Sequence, residues 1–150
     1  MSDFSGRRVL VLHAGALGDC VLIWPLLRAL HRQGAAVRLV AASSHVALAR
    51  RVLGIEGIAN EHRQIGDLMH LPATDADRDW WIRATRWPDC DLVISFIGCG
   101  PMLRSNVQML MGTDQVLEAG PPASESRRKL WERVNVVDRG GASPARATNR

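Results

Sequence analysis

The sequence predicts an α/β fold in which a doubly wound, mostly parallel sheet lies between two layers of helices. Two observations predict it: five short apolar runs of strand length recur along the chain, and segments with helical spacing of apolar residues separate them. Strands that alternate with helices form parallel sheets with right-handed crossovers, which place helices on both faces. We therefore expect a single three-layer α/β/α domain.

The first strand and the first helix have the clearest pattern. Residues 7–13 contain four consecutive apolar residues, which is typical of a buried strand. Residues 22–32 carry apolar side chains at helical spacing, and Gly34 ends this helix. Pro25 removes one backbone hydrogen bond and should bend the opening turns.

A second strand and helix follow. Residues 37–41 predict the strand. Ser43 or Ser44 should cap a helix over residues 45–53, because serine side chains accept hydrogen bonds from the unpaired N–H groups of a helix start. Gly54 should end that helix.

The middle of the chain has a weaker pattern. Residues 57–62 predict a weak third strand, and residues 64–77 resemble a loop with several acids. Residues 79–86 predict a helix with Trp80, Ala84 and Trp87 along one side. For Trp80, Trp81 and Trp87, packing in the core or on the surface of a helix is favoured over stacking on a sugar.

The later elements repeat the alternation. Residues 92–97 predict a strand that is buried on both faces, and residues 98–101 predict a turn at its carboxyl end. A helix over residues 103–111 and a short strand over residues 115–118 follow. Ser124 should cap a final helix that runs to residue 134.

We expect the strand order 3-2-1-4-5, in which the order reverses between strands one and four. The loops at residues 15–19 and 98–101 would then line one crevice. We assign residues 1–138 to a Rossmann-like domain. Residues 139–150 are rich in Gly, Ala, Ser, Pro and Arg without periodicity, which predicts a disordered tail.

Composition sets further limits. The chain has 150 residues, of which 47% are hydrophobic and 23% charged, as in ordinary globular domains. Because there is no signal-peptide core and no apolar run of about 20 residues, we expect a cytoplasmic protein, with peripheral contact at the inner face of the membrane. The net charge of +4 suits anionic partners without choosing among them.

The three cysteines have no metal-like spacing. Cys20 and Cys90 each lie next to apolar segments, where a free thiol packs as a small hydrophobic group, and Cys99 lies in the later turn. A zinc site is expected to use paired ligands such as C-x-x-C, which the chain lacks. We therefore predict structural roles for the cysteines and no metal site.

The loop after the first strand has the residues best placed for chemistry, since ligands gather at the carboxyl ends of parallel strands. A dinucleotide-binding turn is disfavoured, because His13 occupies the place of the first glycine in G-x-G-x-x-G. A P-loop is disfavoured as well, because no Gly-Lys-Ser/Thr follows.

Asp19 has two open interpretations. Aspartate is a favoured helix N-cap, and it is also a suitable general base. A helix N-terminus lowers the basicity of a carboxylate, whereas burial under a bound substrate raises it. The pattern alone leaves both interpretations open.

Two features carry a resemblance to a known family: the run Gly15-Ala16-Leu17-Gly18-Asp19 and the Leu-Ile-Trp-Pro-Leu-Leu-Arg-Ala-Leu helix after it. Both closely resemble the opening of the heptosyltransferase-like glycosyltransferases. Members of that family have the GT-B architecture. The resemblance implies the acceptor-side domain of an inverting enzyme that transfers a heptose-type sugar to a lipopolysaccharide-like acceptor. It implies that Asp19 is the general base. It also implies that the acceptor is contacted by His13, Gly15, Ala16, Leu17 and Gly18.

The chain departs from the family in three ways. His13 stands where the family commonly has arginine or lysine, and Ser95 stands near a frequent acidic position. The family's members are about twice as long, so we expect the chain to lack the donor-binding domain and to be inactive alone.

Two other functions remain as alternatives: a non-catalytic remnant or saccharide-binding module, and a nucleotide-binding Rossmann protein. As partners we expect a saccharide or glycolipid acceptor, and a nucleotide-sugar donor only with a second domain or chain. We expect no cofactor and no nucleic acid.

Overall fold

The computed structural model confirms the α/β class and the predicted strand order. Its five-stranded sheet has the order β3-β2-β1-β4-β5, and all four neighbouring pairs are parallel. The strands are β1 (Arg8–Leu12), β2 (Ala36–Ala41), β3 (Glu56–Ala59), β4 (Leu92–Ser95) and β5 (Val116–Glu118). The structure describes residues 4–59, 67–98, 100–119, 128–130, 132 and 134.

Helices cover both faces of this sheet. They are α1 (Leu17–Leu22), α2 (Trp24–Arg32), α3 (Ser43–Leu53), α4 (Asp75–Thr85) and α5 (Pro101–Met111). Residues 128–130, 132 and 134 are also helical. None of the helices within the described residues is long and apolar enough to cross a membrane.

Strand β1 is central because it is apolar on both faces. Val9 and Val11 pack into a cluster with α2 and α3, whereas Leu10 and Leu12 pack into a second cluster with α4 and α5. Successive side chains of a strand point to opposite faces, so four consecutive apolar residues fill both layers. Strand β1, in the middle of the sheet, therefore contributes to both core layers.

The three tryptophans at residues 80–87 pack against the second cluster, as predicted. Trp81 is buried within it, and Trp80 and Trp87 are partly buried against it. The guanidinium of Arg38 lies 4.8 Å from the ring centre of Trp87, and its Nε donates to the carbonyl of Thr85. Aromatic side chains bury large areas, which explains why they fill the layer beside α4.

The first helix differs from the prediction, because Pro25 separates two helices instead of bending one. Helix α1 ends at Leu22, and Ile23 serves both as its C-cap and as the N-cap of α2. Proline is favoured in the first turn of a helix, where its missing N–H is not needed. The helical segment also begins at Leu17, five residues before the predicted start.

The predicted serine cap of α3 is wrong. The helix begins at Ser43 itself, its N-cap is Ala42, and no side chain caps it. Gly54 ends the helix in the left-handed conformation, as predicted.

Helix α4 begins earlier than the predicted residue 79 and shortens the predicted loop. Thr74 caps it, and Asp77 completes a capping box: the hydroxyl of Thr74 accepts from the N–H of Asp77, and the carboxylate of Asp77 accepts from the N–H of Thr74. This reciprocal pair is the sequence signal that marks the true start.

Smaller differences concern element ends. Strand β3 is described over Glu56–Ala59, β4 ends at Ser95, and α5 starts at Pro101 instead of residue 103. Cys20 and Cys90 are buried free thiols, as predicted. The predictions for Cys99, for Ser124 as a cap and for the tail at residues 139–150 lie outside the described residues.

Candidate functional site

The loops after β1 and β4 lie next to each other at the carboxyl end of the sheet. The two strands pair in parallel with Leu12 opposite Ser95, so the chain leaves both strands at the same level. Gly98 has a φ of 104°, which glycine adopts without strain, and it allows the sharp turn before α5. The two loops therefore start at neighbouring positions, and the crevice between them stays a prediction.

Asp19 is exposed to solvent in the first turn of α1. It is not the N-cap, because Ala16 holds that position and no side chain caps the helix. No hydrogen bond or ion pair involves its carboxylate within the described residues. The capping interpretation is therefore wrong, and the carboxylate is accessible to a ligand.

The side chains of His13 and Asp19 leave little room for a Cβ at Gly15. A Cβ at this position would lie 2.8 Å from Cε1 of His13 and 3.3 Å from Cβ of Asp19. Gly18 differs, since a Cβ there would meet nothing within 4 Å. Together with exposed Ala16 and Leu17, Gly18 leaves open space on the outer side of the loop.

His13 lies below this loop and is only 5% exposed. Its backbone N–H donates to the carbonyl of Val40, and its Nδ1 accepts from the N–H of Gly15 at 3.2 Å. Its ring centre lies 6.1 Å from that of Phe96. The predicted contact between His13 and an acceptor stays a prediction, and burial restricts the imidazole to groups that enter the loop.

Sequence reasoning missed a cluster of three possible metal ligands. Ligand atoms of His13, Cys20 and His45 all lie within 4.8 Å of one another, and all three residues are buried. Burial raises the pKa of the Cys20 thiol above its usual value of 9.0. The predicted strand order could have indicated this cluster, because residues that follow the neighbouring parallel strands β1 and β2 lie at the same end of the sheet.

A separate cleft of about 260 Å³ lies between α4 and the segment before it. Trp80, Trp81, Asp67 and Asp77 are among its lining residues, and Asp19 is not. Sequence reasoning missed this cleft, because the segment before α4 has no periodicity.

Asn106 of α5 holds that segment in place. Its Nδ2 donates to the carbonyls of Leu68 and Leu71, and its Oδ1 accepts from the N–H of Ala73, each at 2.8 Å. The same segment reaches the turn after β4, since a Cβ on Gly98 would lie 3.6 Å from Cε of Met69.

Comparison with known proteins supports the fold. No family model and no curated protein matches the chain. Its structure is similar to that of a glycosyl transferase of family 9 from Veillonella parvula DSM 2008, with a TM-score of 0.54 and 12% identity. The match covers 95% of this chain and 44% of that chain, so this chain spans less than half of the solved protein.

A second solved structure, BdcA (YjgI) from E. coli, aligns with a TM-score of 0.40 and 15% identity. That match covers 95% of this chain and 78% of that chain. The chain thus has a glycosyltransferase-like Rossmann-type fold, on the evidence of the first structure.

Proposed function

We propose that this chain provides the acceptor-binding side of an inverting glycosyltransferase. The enzyme would transfer a heptose-type sugar from a nucleotide-sugar to a lipopolysaccharide-like saccharide or glycolipid. The observation that carries the proposal is the exposed, unbonded carboxylate of Asp19 at the carboxyl end of a parallel sheet. The likeness to a family 9 glycosyl transferase supports the same fold but not the substrate.

Asp19 acts as the general base in this proposal. An acceptor hydroxyl gives its proton to the carboxylate while its oxygen attacks the anomeric carbon of the donor. The new glycosidic bond forms as the bond to the nucleoside diphosphate breaks, and the leaving group takes the bonding electron pair. A positioned base of this kind contributes on the order of 10² to 10⁴ in rate.

The surface next to Asp19 favours a glycolipid as the acceptor. Leu17, Val21 and Leu22 are large exposed apolar side chains on α1. Leu17 and Val21 are four residues apart and therefore share one side of the helix. A lipid-linked acceptor, or the membrane surface that holds it, would cover these side chains while the sugar reaches the loop.

The donor must bind to a second domain or chain. Transfer requires both reactants in attack geometry, and one side of a cleft holds only one of them. We therefore expect the purified chain to bind acceptor and to show no turnover with nucleotide-sugar alone.

Binding is tested by titrating the ¹⁵N-labelled chain with a heptose-containing oligosaccharide and following backbone amide shifts. We expect the largest shifts at residues 14–19 and 98–101. Shifts confined to residues 67–81 would contradict the proposal, and so would the absence of any shift. Shifts confined to residues 67–81 would instead support a saccharide-binding module that uses the cleft lined by Trp80 and Trp81.

Catalysis is tested by adding a chain that supplies the donor-binding domain. Turnover should then appear, and Asp19→Asn should reduce it by a factor on the order of 10² to 10⁴. Asp75→Asn is the matched control, because Asp75 is also exposed in the first turn of a helix, α4. Equal rates for the two variants would refute the role of Asp19.

A further inference from the structure

We propose that His13, Cys20 and His45 form a binding site for a Zn²⁺ ion beneath the loop that carries Asp19. The proposal does not rest on sugar transfer, because its evidence comes from buried side chains and not from the exposed carboxylate of Asp19. Three separate elements supply the ligands: the end of β1, helix α1 and the start of α3.

The three possible ligand atoms lie close enough together for small side-chain movements to bring them around one Zn²⁺ ion. The three ligand atoms, one from each side chain, lie within 4.8 Å of one another. Zinc bonds of about 2.0 Å to nitrogen and 2.3 Å to sulfur place ligand atoms roughly 3.5 Å apart. Side-chain movements of about 1 Å would therefore bring the three atoms around one ion, without any change in the sheet.

An independent observation is the unsatisfied nitrogen of His45. Its Nδ1 is buried without a hydrogen-bond partner, and the residue is only 9% exposed. A buried polar atom without a partner costs about 1–3 kcal/mol, so native structures rarely keep one. Coordination to a metal would give this nitrogen a partner.

The chemistry of the ligands selects the ion. Two imidazoles and one thiolate suit zinc better than magnesium or calcium, which prefer oxygen ligands. Binding exchanges the proton of the Cys20 thiol for the metal, so one proton is released and the site gains one positive charge. A fourth position remains for a water or a ligand oxygen, as in zinc sites with three protein ligands.

Metal binding would also change the loop above the site. A neutral imidazole has one unprotonated nitrogen, and in the structure Nδ1 of His13 accepts from the N–H of Gly15. If Nδ1 binds the metal, this hydrogen bond is lost. If Nε2 binds it, Nδ1 carries the proton and the hydrogen bond is lost as well. Zinc should therefore reposition Gly15 and, next to it, Asp19.

Cobalt provides a direct spectroscopic test. The full chain, stripped with a chelator, is titrated with Co²⁺, and Zn²⁺ is then added in competition. We expect the visible bands of four-coordinate Co²⁺ and a thiolate-to-cobalt charge-transfer band, both saturating at one ion per chain and both lost on adding Zn²⁺. A weak spectrum of six-coordinate Co²⁺ without charge transfer would overturn the proposal.

Matched variants assign the ligands. Cys20→Ser should remove the charge-transfer band, whereas Cys90→Ser should keep it, because Cys90 is buried in the other core cluster. His45→Gln should weaken Zn²⁺ binding at least about tenfold in competition with a chromophoric chelator. The exposed His31 provides the control variant His31→Gln, which should bind normally. Equal affinities for these two histidine variants would exclude His45 as a ligand.

Thermal unfolding separates loss of the site from loss of the fold. Zn²⁺ should raise the Tm of the native chain and of Cys90→Ser, but not that of His45→Gln, for which far-UV circular dichroism reports whether the variant is folded. Zn²⁺ should also shift the amide signals of residues 14–19. Equal zinc-induced stabilisation of His45→Gln and the native chain would refute the proposal, whatever the transfer assay shows.

Discussion

The two ends of the sheet differ in how they satisfy their polar groups. At the amino end, the N–H of Arg8 donates to Oδ2 of Asp91 at 2.8 Å, and its guanidinium lies 3.2 Å from Oδ1 of Asp89. At the carboxyl end, the Asp19 carboxylate has no partner within the described part of the chain, and Nδ1 of His45 has none either. The polar groups of Arg8 and Asp91 at the amino end join neighbouring strands, whereas the two groups named at the carboxyl end have no partner among the described residues.

Asn106 is a polar residue whose side chain does have hydrogen-bond partners. Its amide makes three hydrogen bonds that hold the segment before α4 against α5. Pairing thus differs from residue to residue. Asn106 makes three hydrogen bonds, whereas within the described residues the carboxylate of Asp19, Nδ1 of His45 and Nε1 of Trp24 have no partner. The predictions below test this through the free energy of unfolding.

Asn106→Ala should lower the free energy of unfolding by about 1–3 kcal/mol, because the backbone groups that it holds lose their partners. Urea denaturation measures the change. Gln108→Ala, at an exposed position on the same helix, should change it by less than about 0.5 kcal/mol. Similar losses in both variants would show that Asn106 has no special role.

Cys90, at the amino end, should make the protein less stable in alkali. Burial, together with the negative charge of Asp91, raises the pKa of the Cys90 thiol from 9.0 to about 12. Below pH 9.0 the thiol is protonated in both states. Above it the unfolded thiol ionises first, so stability falls by up to about 1.4 kcal/mol per pH unit until the folded thiol ionises too.

Urea denaturation between pH 8 and roughly pH 11 tests this prediction. Cys90→Ala should flatten the decline, because it removes this thiol from both states. An unchanged slope in the variant would show that other groups cause the alkaline loss.

Asp91→Ala should lower the free energy of unfolding by about 1 kcal/mol, since the hydrogen bond from Arg8 is exposed and water replaces part of it. Asp91→Asn keeps an acceptor oxygen and should lose less. If both variants were as stable as the native chain, the amino-end pairing would not contribute to stability.

Asp19→Asn should change the free energy of unfolding by less than about 0.5 kcal/mol, because no described interaction is lost. Chemical denaturation beside the Asp91 variants gives the comparison. A loss of 1 kcal/mol or more would mean that Asp19 supports the fold, and the contrast between the two ends would fail.

Much of the fold could be predicted because the apolar pattern determines it. The four consecutive apolar residues of β1 predict a strand buried on both faces, and β1 does supply side chains to both core clusters. Helix starts were harder to predict. Ser43 and Ser44 have the side chains of caps, but α3 starts one residue too early for either to reach the cap position.

The candidate site could be predicted only where it is local in sequence. The loop at residues 15–19 and the exposure of Asp19 follow from a strand, a turn and a helix in succession. The approach of His45 to Cys20 depends instead on the register between β1 and β2 and on how α3 packs. The spacing of residues along the chain does not show which helices and strands approach one another. The search for paired ligands such as C-x-x-C therefore missed the cluster.

The break between α1 and α2 separates a short helix that carries Asp19 from a longer helix that packs in the core. Helix α2 buries Leu26, Leu27 and Leu30 in the core, whereas α1 carries Asp19 on its surface. Because Ile23 ends one helix and begins the other, the exposed residues of α1 can be substituted without disturbing the packing of α2, whereas Cys20 of α1 shares the core cluster with α2. The outer face of the short helix can therefore change while the long helix keeps the domain folded.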